Sequence, residues 1–195
     1  MERIAPRPIV LSLPNVLTYL RILAIPAMAV CFLAIKSDTG RLSALAIYLA
    51  ACVTDWLDGY LARVWDQQSA LGRMLDPIAD KLLVGTVLIL LVHDNTIDHG
   101  TIPAAIIILC REILVSGLRE FLAELNVKVH VTQLSKWKTT LQMFALAVLV
   151  AGPAVDRLIA GFSMLGYALL WVAALLTLWT GYDYLKAAVR HAIQN

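Results

Sequence analysis

Four aspartates carry the chemistry that this sequence offers most directly. They lie in Thr54–Lys81, which reads TDWLDGYLARVWDQQSALGRMLDPIADK. Asp55 and Asp58 are three residues apart, and Asp76 and Asp80 are four apart. Residues at i and i+3 or i+4 share a helix face, so each pair marks one face of one helix. The connection Val64–Leu71 is short, which predicts two antiparallel neighbouring helices whose acids converge on one point. Four carboxylates in one place repel each other and are costly near lipid, so a cation must sit among them. Oxygen donors without sulfur favour Mg2+, Mn2+ or Ca2+. Four carboxylates over-neutralise one divalent ion, so two ions are expected. A single Asp at a helix end is more often solvated, or paired with a neighbour such as Arg63, Arg73 or Lys81. Four at this spacing on adjoining helices are not explained that way. Asp66, in the connection, reads as a solvated loop residue.

Small residues accompany the acids. Gly59 and Ala62 lie on or beside the Asp58 turn, where a missing side chain lets a backbone or a flat ligand approach. Tight helix packing is the equal alternative. Gly72 stands where the connection enters the next helix, and Pro77 fits a helix N-terminus.

The elements that must position these residues are membrane spans. The chain has 195 residues, 60% hydrophobic and 15% charged, and a mean hydropathy of +0.76. Soluble domains are about half apolar and about a quarter charged. A span needs about 20 mostly apolar residues. Candidates run from near Asn15 to Ile35, Leu42 to Leu61, Ile78 to Val92, Ile102 to Phe121, Thr140 to Val150 and Ile159 to Leu178. The fold class expected is therefore all-α integral membrane, with six transmembrane helices over residues 14–195. Met1–Leu13, with Pro6 and Pro8, is expected to lie in the membrane interface. The first apolar run is too long for a signal peptide and reads as the first span.

Lys and Arg sort by side. With the N-terminus inside, Arg3, Arg7, Arg63, Arg73, Lys81, Arg119, Lys128, Lys136, Lys138, Lys186 and Arg190 fall on the cytoplasmic side. Only Lys36, Arg41 and Arg157 fall outside. The positive-inside rule then places both termini, and the aspartates, at the cytoplasmic face. The net charge of +2 lacks the dense basic face of a nucleic-acid binder. Cys31, Cys52 and Cys110 sit in apolar runs and read as buried small hydrophobes. His93, His99, His130 and His191 have no ligand spacing. The aromatic stripe of the sixth helix, including Trp171 and Trp179, reads as packing and interface anchoring.

The aspartate segment resembles the CDP-alcohol phosphatidyltransferase family. That family's pattern, Asp-x-x-Asp-Gly-x-x-Ala-Arg, eight residues, Gly-x-x-x-Asp-x-x-x-Asp, is matched in full by Asp55, Asp58, Gly59, Ala62, Arg63, Gly72, Asp76 and Asp80. The resemblance implies a six-helix membrane domain, a homodimer, and a polar cavity open to the cytoplasm; the short N-terminal stretch, which does not read as a transit peptide, points to a bacterial inner membrane. It implies Mg2+ or Mn2+ held by Asp55, Asp58, Asp76 and Asp80, with Asp80 also the general base. It implies CDP-diacylglycerol as donor and CMP as product. Gly59, Ala62 and Arg63, with Gly72 and Arg73 nearby, are implied to receive the CDP moiety. Asn15, Thr18 and Arg21 share one face of the first helix and are similar to the family's branch that uses glycerol 3-phosphate. They are expected at the nucleotide end of the cavity, although Asn15 also reads as a helix start.

The acceptor is addressed by basic residues. Arg111 lies well inside the fourth span, where an unpaired charge is costly, in the stretch REILVSGLRE with Glu112 and Arg119. Lys136 and Lys138 lie in SKWKTT before the fifth span. Arg forks and Lys point charges suit a phosphate. Arg111, Arg119, Lys136 and Lys138 are therefore expected to bind the phosphate of the acceptor, and both stretches are similar to that same branch. Ordinary positive-inside flanking for the lysines, and an internal pair with Glu112 for Arg111, remain open. So do inositol phosphate, inositol, serine and phosphatidylglycerol as acceptors, and a divalent-cation transporter as a different class of protein.

Overall fold

The computed structural model describes residues 13–65, 70–125 and 133–194. Six helices account for nearly all of them, and no strand occurs among the described residues. They are α1 Leu13–Ala34, α2 Asp38–Val64, α3 Ala70–His93, α4 Ile102–Glu124, α5 Gln133–Val155 and α6 Phe162–Gln194. The expected interfacial segment 1–13 lies, except for Leu13, outside the described residues. Among the described residues four helices are long and apolar enough to cross a membrane: Asn15–Ala34, Asp38–Leu61, Gln133–Val155 and Phe162–Lys186. Their outer faces are apolar, with Leu23, Met164 and Trp179 exposed. The helices α3 and α4 carry charge within their apolar stretches, at Asp80 and Lys81 and at Arg111 and Glu112.

Helix α1 shows how an apolar sequence still has a distinct buried face. Asn15, Thr18, Arg21, Ile25, Met28 and Phe32 recur at helical spacing, and all are buried. The stripe is polar in its first half and apolar in its second. Its apolar half packs into the core with Ala44, Tyr48 and Ala51 of α2 and Leu83, Val87 and Leu91 of α3. Alanines in the core let helix backbones approach closely. Tyr48 satisfies its hydroxyl by donating to the carbonyl of Met143 at 3.1 Å.

The turn from α1 to α2 takes three residues. The N–H of Gly40 donates to the carbonyl of Ser37 at 3.0 Å. A Cβ on Gly40 would lie 2.1 Å from the carbonyl oxygen of Ile35, so only glycine fits this close approach. At the same end Arg41 ties four elements together. It pairs with Asp94, donates to Thr96 Oγ1 at 2.7 Å and to the carbonyl of Val150 at 3.1 Å, and lies over the Phe32 ring. Lys36, Arg41 and Arg157 gather at this end, away from the aspartates.

Three expectations need correction. First, α2 and α3 do not form a substantial packed pair among the described residues. Instead α1 packs against both. The short connection limits how far the two helix ends can part, but the polar face of α1 fills the space between them. Second, α3 begins at Ala70, so Pro77 lies inside the helix rather than at its start. Proline has no N–H for the carbonyl four residues back, and the helix continues through it. Helix α5 is likewise longer than its apolar run, because helical hydrogen bonding extends into polar ends that a hydropathy reading discards. Third, the cysteines are not buried: Cys31 and Cys52 are half-buried and Cys110 is exposed. An apolar outer surface accepts a thiol as readily as the core does.

Candidate active site

Three of the four aspartates of α2 and α3 meet at Arg21, the single charged residue of α1. Arg21 Nη1 lies 2.6 Å from Asp55 Oδ1 and 3.2 Å from Asp80 Oδ1, and Nη2 pairs with Asp58 Oδ2. One turn earlier on α1, Thr18 Oγ1 donates to Asp76 Oδ1 at 2.8 Å. All four aspartates are thus addressed from one face of α1. Their spacing on α2 and α3 is what lets them meet there, since both acids of each pair project from one helix face.

Exposure grades across the cluster. The side chain of Asp58 is 4% exposed and forms the floor, while Asp55 at 31% and Asp80 at 43% form an open rim. Four carboxylates against one guanidinium leave a formal charge of −3. Buried charge is tolerated only when paired, and one arginine does not balance this set. Among the described residues no three His, Cys, Asp or Glu side chains stand together as a metal-holding group; the carboxylates of Asp55, Asp58 and Asp80 are turned to the Arg21 guanidinium. The donor set itself suits a hard divalent cation: oxygen donors on three carboxylates already reach a single cationic group.

Arg21, expected at the nucleotide end of the cavity, lies among the acids. The signal for this was present in the sequence: one charge in an otherwise apolar helix requires a partner of opposite sign. Asn15 and Thr18 are buried on the same face. Gly59, on the turn after Asp58, has open space where a Cβ would be, so its smallness is not required by helix packing. Gly72 is buried on α3, and Arg73 is exposed beside it. The side chains of Ala62, Arg63 and Lys136 lie outside the described residues.

Beside the aspartates is a cavity of about 360 Å3 between α3 and α4, whose lining includes Arg73, Lys81, Arg111, Glu112, Arg119 and Glu120. Four cations against two carboxylates make it formally +2. Met74, Pro77, Ile78 and Lys81 line it from α3, and Asp76 and Asp80 occupy the adjoining face of the same turns. The sequence reading missed Lys81 here, although it directly follows Asp80 on a helix that must pass this site. Its Nζ donates to the carbonyl of Pro77 at 2.7 Å.

The expected phosphate-binding residues divide. Arg111 and Arg119 line the cavity; Lys138 does not. Arg111 is buried, donating from Nε to the carbonyl of Thr177 at 3.1 Å and from Nη2 to Thr180 Oγ1 at 2.9 Å. Its Nη1 lies 3.3 Å from Glu112 Oε1, the same oxygen that holds Lys138. Glu112 therefore joins two buried cations and ties α4 to α5, while Arg111 ties α4 to α6. A Cβ on Gly181 would come within 3.1 Å of Arg111 Cγ, so this glycine of α6 gives Arg111 its room. Arg119 lies over the Tyr184 ring, 5.5 Å from its centroid.

Residues 11–179 match the sequence profile of the family described as CDP-alcohol phosphatidyltransferase. Among curated proteins, the chain is similar to the CDP-diacylglycerol–glycerol-3-phosphate 3-phosphatidyltransferase of Rickettsia bellii. The two are 47% identical over 180 residues, which is 92% of this chain and 97% of the relative. It is also similar to proteins of the same name from Cereibacter sphaeroides and Haemophilus influenzae. The first is 40% identical over 91% of this chain and 96% of the relative. The second is 39% identical over 94% of this chain and 97% of the relative. With the complete aspartate pattern gathered against one face of α1 and a family match over residues 11–179, the chain belongs to the CDP-alcohol phosphatidyltransferases.

Proposed function

We propose that the protein transfers the phosphatidyl group of CDP-diacylglycerol to glycerol 3-phosphate, releasing CMP and forming phosphatidylglycerophosphate. The observation that carries this reading is the adjacency of two unlike sites. An acidic cluster of formal charge −3 around Arg21 adjoins a cationic cavity of formal charge +2 between α3 and α4. The first suits a metal-bound diphosphate and the second the phosphate of a small alcohol. The relatives' name supplies the same donor and acceptor.

Asp55, Asp58, Asp76 and Asp80 would hold Mg2+ or Mn2+, two ions by charge. A divalent cation bound there supplies neutralisation of the diphosphate as negative charge shifts to the departing CMP. The chain's own groups do the rest. Asn15 and Thr18 on α1, and Gly59, Ala62, Arg63, Gly72 and Arg73 on α2 and α3, would bound the CDP moiety. The open space beside Gly59 favours a close ligand approach there. Arg111, Arg119 and Lys81 of the cavity lining, together with Lys136 and Lys138, would hold the acceptor phosphate. Asp80, the most exposed of the paired acids, would take the proton of the acceptor hydroxyl. The hydroxyl oxygen then forms its bond to the phosphorus that carries diacylglycerol, and the bond from that phosphorus to the CMP oxygen breaks.

All six helices would cross a bacterial inner membrane, with both termini and the aspartates on the cytoplasmic side. The Lys and Arg distribution supports this orientation. The shared charge of α3 and α4 is then turned inward to the site. The test is CMP release by the detergent-purified protein with CDP-diacylglycerol, Mg2+ and each alcohol in turn. Release requiring glycerol 3-phosphate, and lost in Asp80→Asn, supports donor, acceptor and base. Release with inositol phosphate instead keeps the chemistry and overturns the acceptor.

A further inference from the structure

Arg21 is the one cation that reaches three of the four aspartates among the described residues. Its side chain is fully buried and faces carboxylates on both α2 and α3. Among the described residues its Nε has no hydrogen-bond partner. The guanidinium is thus incompletely satisfied, while three acids compete for its two outer nitrogens. A guanidinium carries its charge at every accessible pH, so it neutralises this cluster whether or not another cation is present. The oxygens it uses, Oδ1 of Asp55, Oδ1 of Asp80 and Oδ2 of Asp58, are donors of the set that would hold a divalent ion.

We infer that Arg21 is a resident counter-cation, which holds Asp55, Asp58 and Asp80 together until a divalent ion binds and then yields those oxygens to the ion. The inference rests on the metal reading given above. Arg21 is a positioning residue in this account: it keeps α2 and α3 drawn onto α1 before metal and donor arrive. Two positive groups cannot share the same carboxylate oxygens without repelling each other, so Arg21 and the ion compete. Removing Arg21 therefore loosens the metal-free bundle and at the same time strengthens its hold on the ion.

The test compares the parent protein with Arg21→Gln, Arg21→Lys and Asp58→Asn in detergent micelles. Mn2+ affinity is read by electron paramagnetic resonance, and the melting temperature is read in chelator and in saturating Mn2+. For Arg21→Gln we expect Mn2+ to bind at least about ten-fold more tightly, equivalent to about 1.4 kcal/mol. We also expect a lowered melting temperature in chelator that Mn2+ largely restores. Arg21→Lys should fall between, since it keeps the charge but not the fork. Mn2+ affinity in Arg21→Gln equal to or weaker than the parent's overturns the inference. So does an Arg21→Gln protein that stays unfolded in saturating Mn2+, because the ion then does not replace the guanidinium. If the parent binds no Mn2+, or Asp58→Asn leaves binding unchanged, the metal reading itself fails.

Discussion

Glu112 offers a sharp test of how the interior of this bundle is held. Its carboxylate serves Arg111 and Lys138, which are 8% and 3% exposed, while its own side chain is 20% exposed. Changing Glu112→Gln preserves shape and removes the charge, leaving two buried cations without their acid. Removing one partner of a buried pair costs about 3–5 kcal/mol. Partial exposure of Glu112 lowers that to about 2–3 kcal/mol. For a chain of this size each kcal/mol shifts the midpoint by about 2–4 °C, so Glu112→Gln should melt about 5–10 °C lower. Thermal unfolding in micelles, followed by the fluorescence of the five tryptophans, measures it. The companion variant is Lys138→Met, which removes one of the stranded cations. The double variant should recover part of the loss, with a coupling of about 1–3 kcal/mol. A melting point within about 1 °C of the parent, or strictly additive effects, would refute the claim that Glu112 joins these cations.

Two glycines should respond oppositely to alanine. Gly40→Ala drives a Cβ to 2.1 Å from a backbone oxygen, which cannot give way, so folded yield should collapse with a cost above about 3 kcal/mol. Gly59→Ala meets open space and should melt like the parent while raising KM for CDP-diacylglycerol; unchanged kinetics would remove the ligand from that turn. Lys81→Met should raise KM for glycerol 3-phosphate about ten-fold or more, the loss of a charge-assisted bond, and leave KM for the donor unchanged. Equal effects on both substrates would take Lys81 out of the acceptor site. Stripping divalent ions with chelator should abolish CMP release, and Mg2+ or Mn2+ should restore it; persistent release in chelator would exclude the aspartates as a metal site.

Much of the site is local in the chain. Asp55 with Asp58, and Asp76 with Asp80, are legible because helical periodicity alone puts each pair on one face. Gly59 is legible only as a small residue: the sequence leaves ligand approach and tight packing equal, and the open space beside it is a tertiary fact. The buried face of α1 is less so, since Asn15, Thr18 and Arg21 show a shared face but not what that face meets. Arg111 reads as a phosphate ligand because it is charged within an apolar run, and it does line the cavity, but its contacts with α6 are not legible. Its partners Thr177 and Thr180 are 66 and 69 residues away in the chain, and no spacing rule connects them. Lys138 is a similar case, being claimed by Glu112 from another helix.

The sequence by itself determined the apolar helices, the acidic pairs on them, the sorting of basic residues by end, and the family pattern. Each is a property of composition or of spacing within one helix, where hydrogen bonding and periodicity are set by neighbours in the chain. Tertiary structure alone decided that α1 lies between α2 and α3, and that Arg21 is the cation on which three aspartates meet. It also decided that Arg111 is committed largely to α6. These depend on which helix faces pack together. In a chain apolar on nearly every side, hydropathy does not choose among faces; the few buried charges do, because each must find its counter-charge.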